Sequence, residues 1–188
     1  RAVAGSTMNA PATTAMGLAL CVAAIAALCD WRRGQIPNWL TLPPIVLAPL
    51  SYGLLFGLED ATHSLASAFL TGFVPYLLFR RGAIGGGDVK LFGALGAITG
   101  FDLLLGLEIQ LAALVVAMVV ACGGLAWRGV LLRTLGNAVV QPFNPLLPVR
   151  CRQQPCEALF TPVRMGGAIF VAAGVFAAPY LVAAWSGS

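Results

Sequence analysis

Two aspartates are the residues of this sequence whose type and placement could support catalysis. Asp30 ends a long apolar run, and Asp88 follows three glycines at the point where one apolar run ends and another begins. A charge beside an apolar segment is costly, so it calls for a chemical reason. Two neighbouring carboxyl groups do not ionise together easily, and one keeps a proton near neutral pH while the other stays charged. Such a pair could hydrolyse a peptide bond, with one carboxylate as base on water and the other carboxyl as acid on the carbonyl.

Each aspartate also has a simpler interpretation when it is taken alone. Asp88 would be an ordinary N-cap residue after a glycine loop. Asp30 would be a helix-end charge paired with Arg33. It is the joint occurrence of the two aspartates that favours catalysis. A close pair titrates with two apparent pKa values that belong to the pair, and the sequence does not say which aspartate holds the proton.

The residues around the two aspartates are candidates for shaping a substrate site. The three glycines can adopt positive φ and expose bare backbone, which would let an extended substrate strand approach Asp88. Asp88 would lie in the first turn of the next helix, where the helix dipole favours its anion. Lys90 adds positive charge near the site, or serves only to orient the chain in the membrane. The candidate site-shaping residues are Gly85, Gly86, Gly87, Lys90, Arg32, Pro37 and Asn38.

The composition indicates the elements that must position these residues. The 188 residues are 59% hydrophobic and 10% charged, with a mean hydropathy of +0.88, which is far from a soluble composition. We predict an all-α, polytopic integral membrane protein with about six transmembrane helices. The apolar runs span residues 12–29, 39–58, 63–79, 91–107, 109–127 and 166–185.

The fourth of these runs is the least regular. Asp102 interrupts it, and the run that follows contains Glu108 and Gln110. A short helix from Asp88 to about Thr99, followed by an outer turn at residues 100–102, is the alternative. Either choice leaves Asp88 on the same side of the membrane.

The basic residues predict the orientation of the chain. Under the six-span arrangement, every one of the 11 Lys and Arg residues except Arg1 falls on one side. Basic loops mark the cytoplasmic face, so both termini are expected outside. Two crossings separate Asp30 from Asp88, which places both on the cytoplasmic side. The net charge of +4 is then a topology signal, and we expect no nucleic-acid partner.

We expect one integral-membrane domain over residues 12–188, preceded by an N-terminal tail of residues 1–11. Met8 is a candidate native start, so residues 1–7 are given no functional role. A long cytoplasmic loop at about residues 128–165 either lies on the membrane as an interfacial segment or forms a poorly ordered basic loop. Its Cys151 and Cys156 form a single C-x4-C pair, which falls short of the four ligands of a structural zinc site. We therefore expect no metal and no other cofactor.

The two aspartate segments resemble the motifs of a known family. Asp30-x-Arg32-x-x-x-Ile36-Pro37-Asn38 and Gly85-x-Gly87-Asp88-x-Lys90 are similar to the first and second motifs of the GxGD aspartic membrane peptidases, specifically the bacterial type IV prepilin peptidases. The resemblance implies that Asp30 and Asp88 are the catalytic pair. It implies a prepilin substrate, with a basic leader and an N-terminal apolar helix, cut at the cytoplasmic face of the inner membrane. Membrane lipid and the pilus assembly machinery would be further partners.

The short chain is similar to the compact form of this family, which is associated with Flp-type, tight-adherence pili. Larger relatives carry paired CxxC zinc ligands and an N-methyltransferase activity, and the ligand pairs do not occur in this sequence. We therefore expect peptidase activity without methylation. Relatives often have a Pro-Tyr-Gly-like turn near the last span, and of residues 163–168 only a glycine agrees with it.

Three other functions are compatible with the same residues. The chain could be a GxGD peptidase for another class of signal sequence. It could be a proton-coupled transporter whose carboxylates relay protons, although such carboxylates would lie near the bilayer midplane rather than at helix ends. It could also be a pilus-assembly scaffold without catalytic activity.

Overall fold

The computed structural model describes residues 3–127, residue 129 and residues 165–186, with side chains from residue 11 onward. Within these ranges the regular secondary structure is entirely helical. The helices are α1 (Val3–Arg33), α2 (Asn38–Leu55), α3 (Leu58–Arg80), α4 (Gly86–Ile98), α5 (Leu105–Trp127) and α6 (Gly166–Ser186). The predicted all-α architecture is confirmed. Cys151, Cys156 and most of the predicted loop at 128–165 lie outside the described residues.

In the part of the chain that the structure describes, four helices are long and apolar enough to cross a membrane. They are residues Pro11–Arg33 of α1, together with α3, α5 and α6. The other two are shorter: α2 has 18 residues with three internal prolines, and α4 has 13. At 1.5 Å per residue α4 is about 20 Å long, less than the ~30 Å of the hydrocarbon core. The chain is a polytopic membrane protein, and two of the six helices in its described residues are shorter elements.

The predicted fourth span at residues 91–107 is wrong, and the alternative short helix is what the structure contains. α4 ends at Ile98, and the chain then turns before α5 begins at Leu105. The Asp102 carboxylate accepts a hydrogen bond from the Leu104 N–H at 3.0 Å. This local bond stabilises a turn in place of a continuing helix.

The short α4 is enclosed by the other helices. Every residue from 91 to 100 is buried, and α4 contacts α1, α2, α3 and α5. A helix that is apolar on all sides must be surrounded to bury its surface. α4 is therefore the central element, and its N-terminus carries Asp88.

Small residues set the close contact between α3 and α4. Gly96 lies against Thr71 and Ser67, and Gly100, in the turn that follows α4, lies against Ser64. The Ser64 hydroxyl donates a hydrogen bond to the Ala97 carbonyl at 2.7 Å. In membrane helices, small residues allow backbones to approach and hydroxyl groups to bond across the interface. This contact fixes α4 along its length.

The helices alternate in direction, so the aspartates lie at one end of the bundle. This site end comprises the ends of α1, α3 and α5 and the beginnings of α2, α4 and α6. Its exposed basic side chains in the described part of the chain are Arg32, Arg33, Arg80, Arg81 and Lys90. The helix ends and turns at the opposite end contain Glu59, Asp60, His63, Asp102 and Glu108.

Candidate active site

Asp30 lies in the last turn of α1 and contacts the beginning of α6. Its side chain is only 8% exposed. It continues a buried stripe of α1 in which residues recur every three or four positions: Ala12, Met16, Ala19, Ala23 and Ala26. Asp30 Oδ2 accepts a hydrogen bond from the Gly166 N–H at 3.1 Å. Since Gly166 is the first residue of α6, both this donor and the helix dipole stabilise the Asp30 anion.

The Asp30 contact requires a glycine at position 166. A Cβ at this position would lie 2.9 Å from the Asp30 Cβ, 3.0 Å from its Oδ2 and 3.2 Å from the Ala27 Cα. These distances are too short for any larger residue unless one helix moves. The close fit therefore fixes the Asp30 carboxylate against α6.

Asp88 lies at the third position of α4 and is also 8% exposed. Its Oδ2 accepts a hydrogen bond from the N–H of Gly85, the N-cap residue, at 3.2 Å. The simple interpretation of Asp88 as the N-cap itself is therefore wrong, while its expected place in the first turn is confirmed. The side chain reaches back to the cap, as the acidic residue of a capping box does.

The environment of Asp88 changes its acidity. Burial, as the larger cause, and the negative charge of Asp30 together raise the pKa of Asp88 from its ordinary value of 3.8 to about 6. The hydrogen bond from the Gly85 N–H acts in the opposite direction. A carboxyl group with a pKa of about 6 keeps a proton over much of the weakly acidic range. Asp88 is thus suited to donate a proton.

Both aspartates line one polar cleft of about 460 Å³ at the site end. Its walls come from the α1–α2 connection and the start of α4. The lining residues are Asp30, Arg33, Gly34, Gln35, Ile36, Pro37, Asn38, Gly85, Gly86, Gly87 and Asp88. The structure thus brings the two aspartates, which are 58 positions apart, to a single opening.

The glycines before Asp88 act through close packing. Gly85 has a φ of −76°, and Gly86 and Gly87 also lack positive φ, so none of the three adopts the positive φ that glycine allows. A Cβ on Gly87 would lie 3.1 Å from the Ile36 Cβ, and one on Gly86 would lie 3.3 Å from Cε2 of Phe79. The glycines allow the start of α4 to approach its neighbours. The positive φ in this cleft is that of Gly34, at 65°.

The other candidate residues are divided between the cleft and its rim. Pro37 and Asn38 line the cleft, whereas Arg32 and Lys90 do not. Lys90 Nζ donates a hydrogen bond to Asn38 Oδ1 at 2.9 Å. This bond ties the start of α4 to the start of α2 and thereby links the two aspartate segments.

The list of candidate site residues from the sequence omits several residues of the cleft. The cleft is also lined by Arg33, Gly34, Gln35 and Ile36. Their position in the sequence between Asp30 and Pro37 could have indicated that they lie near the site. Gly166 was not among the candidate residues, and nothing local in the sequence indicated its contact with Asp30. Among the described residues, no three His, Cys, Asp or Glu side chains lie together in a way that could hold a metal ion.

Comparison with known proteins gives one match. The model of the type IV leader peptidase family matches residues 17–127, which is more than half of the chain and includes both aspartates. No curated protein and no solved structure matches the chain.

Proposed function

Because the chain belongs to the type IV leader peptidase family, we propose that it is an aspartic endopeptidase in which Asp30 and Asp88 are the catalytic pair. Its substrates in this proposal are type IV prepilins of the Flp class. The observation that carries the proposal is that two buried carboxyl groups line one cleft but have different surroundings. Different surroundings push the pKa values of two carboxyl groups apart, so that one can act as the acid and the other as the base.

The two partners of the pair have distinct roles. Asp88 holds the proton, because burial and the charge of Asp30 raise its pKa to about 6. In this proposal Asp30 supplies the carboxylate, whose Oδ2 accepts a hydrogen bond from the Gly166 N–H at the start of α6. Asp30 therefore acts first as the base, and Asp88 acts first as the acid.

The proton transfers balance over one round of hydrolysis. Asp30 takes a proton from water, the resulting hydroxyl adds to the scissile carbonyl carbon, and Asp88 gives its proton to the carbonyl oxygen. The tetrahedral diol then collapses as its C–N bond breaks. Asp30 passes its proton to the leaving nitrogen, and a diol hydroxyl returns a proton to Asp88. Both carboxyl groups end in their starting states.

The reaction takes place at the cytoplasmic face of the inner membrane in this proposal. The support is the positive charge of the site end, since basic residues collect on the cytoplasmic side of membrane proteins. Residues 12–188 form a single peptidase domain, and the protein cleaves without methylating the new N-terminus. A leader that is synthesised in the cytoplasm would reach the polar cleft without crossing the bilayer.

Co-expression with a tagged Flp-class prepilin tests the proposal by the size shift on cleavage. Asp30→Asn and Asp88→Asn should each lower the cleavage rate by about 10²-fold or more, as expected for the loss of a general acid or base. Asp102→Asn is the matched control, because Asp102 is exposed and lies at the opposite end of the bundle. Full cleavage by either site variant would refute the aspartic mechanism. Exchanging the leader for that of another signal-sequence class tests the substrate class.

A further inference from the structure

A second depression in the described structure shares Asp30 with the polar cleft. This apolar groove has a volume of about 710 Å³ and lies between α1, α5 and α6. Its lining residues are Ala24, Ala27, Leu28, Asp30, Trp31, Val116, Ala117, Val120, Gly167, Ala168, Phe170 and Val171. Asp30 is the one ionisable side chain among them. The apolar groove thus leads to a proposed catalytic carboxylate.

The groove has small residues among its lining and larger ones beside them. Ala24, Ala27 and Gly167 contribute little or no side chain, and a Cβ on Gly167 would meet no atom within 4 Å. The larger Leu28 and Val120 are exposed. In membranes, small residues allow a second helix to approach closely, and larger neighbours provide van der Waals contact.

The position of the groove along the helices relates it to the site end. Its residues come from the second half of α1, the second half of α5 and the first turns of α6. All three segments lie on the half of the bundle that carries the aspartates. A helix lying in the groove would therefore have one end at Asp30.

We propose that the apolar groove binds the membrane helix of the substrate, the apolar segment that follows the leader. This inference rests on the proposed function. Continuity with the polar cleft argues for this occupant, since Asp30 lines both: the apolar lining suits an apolar helix, and the leader would pass Asp30 into the cleft. A further groove between α1 and α2 reaches neither aspartate, so a helix there would not be positioned for cleavage.

Photo-crosslinking from two adjacent residues of α5 tests contact with the substrate. Val120 lines the groove and is 63% exposed, while Val119 is 62% exposed and lies outside it. A photoreactive amino acid at position 120 should crosslink to the helix of a tagged prepilin, and one at position 119 should not. Equal crosslinking from both positions, no crosslink to prepilin, or a crosslink at 120 only to lipid or to a second copy of the chain would overturn the proposal.

A substitution that fills the groove gives a second, kinetic test. Val120→Trp should raise the KM for full-length prepilin about tenfold, the effect of displacing a buried apolar side chain of the substrate, with little change in kcat. Val119→Trp should leave KM unchanged. Equal KM values in the two variants would refute the groove as the binding site of the substrate helix, even if cleavage depends on both aspartates. If cleavage does not depend on the aspartates, the proposed mechanism itself fails, so the two failures are distinguishable.

Discussion

At the scale of single residues, the two aspartates differ in what stabilises their charge. Asp30 accepts a hydrogen bond from the first residue of another helix, α6. Asp88 accepts one from the cap of its own helix and is affected chiefly by burial. The two carboxyl groups therefore have different surroundings, which is the condition for an acid and a base to work together.

The raised pKa of Asp88 predicts how cleavage depends on pH. As the pH rises through about 6, Asp88 loses the proton that it would give to the carbonyl oxygen in the proposed mechanism, so kcat/KM should fall on the alkaline side. A second fall is expected at low pH, where the coupled pair has no base left to accept a proton from water. The acidic and alkaline sides of the measured profile of kcat/KM against pH give the apparent pKa values of the coupled pair. Prepilin cleavage measured over a range of buffers checks this, and a rate that stays constant well above pH 6 would contradict the role of Asp88 as the acid.

The close contact between Gly166 and Asp30 predicts that a larger residue at position 166 would misplace the Asp30 carboxylate. Gly166→Ala places a methyl group within 3.0 Å of Asp30 Oδ2, which displaces the carboxylate or the start of α6. Cleavage should fall by about 10²-fold, as expected for a catalytic group that is misplaced by about 1 Å. Gly174→Ala is the control on the same helix, because its new Cβ would lie 3.8 Å from Leu20 Cδ1, an ordinary contact. A Gly166→Ala variant with normal activity would show that this contact does not position Asp30.

At the scale of the helices, the apolar runs predicted the existence of the elements but not the end of α4. The run at 91–107 continues through the turn at residues 99–104, because both the buried helix and the turn are rich in apolar residues. Hydropathy does not distinguish a helix enclosed by protein from one that faces lipid. Asp102 was the signal of the break. The close approach of Gly166 to Asp30 was not predictable in this way, since it joins residues 136 positions apart.

The close contact between α3 and α4 predicts that one added methyl group at this interface lowers the stability of the protein. Gly96→Ala would place a Cβ 2.7 Å from the Ser67 carbonyl oxygen, and backbone atoms cannot rotate away as a side chain can. We expect the melting temperature of the purified protein in detergent to fall, with a loss of about 1 to 3 kcal/mol for overpacking. Gly123→Ala on α5 is the control, because its Cβ would meet no atom within 4 Å and alanine is the better helix former. Equal melting temperatures of the two variants would contradict close packing at Gly96.

At the scale of the whole molecule, the alternating direction of the helices explains why the sequence predicted the neighbourhood of the two aspartates. Asp30 ends α1 and Asp88 begins α4, so the intervening α2 and α3 return the chain to the same end. The order of the helices is therefore enough to bring the two segments together. It is not enough to fix the Lys90 to Asn38 bond or the shape of the cleft, which depend on how closely α4 approaches its neighbours.

The charge difference between the two ends of the bundle predicts the orientation of the protein in the membrane. The site end carries exposed Arg80 and Arg81, and the opposite end carries Glu59 and Asp60. We therefore expect the site end to face the cytoplasm. Cysteine labelling can test this orientation. In a variant without native cysteines, a single cysteine is introduced either in place of Leu58, which is 83% exposed, or in place of Arg81.

A membrane-impermeant maleimide should label the cysteine at position 58 in intact spheroplasts. It should label the cysteine at position 81 only after the membrane is opened, and labelling of both in opened membranes shows that both are reactive. Each variant must still cleave prepilin, so that the labelled protein is the folded one. If position 81 is labelled in intact spheroplasts, the polar cleft faces away from the compartment in which leaders are made. Cleavage at the cytoplasmic face would then be excluded, because a charged leader would have to cross the bilayer to reach Asp30 and Asp88.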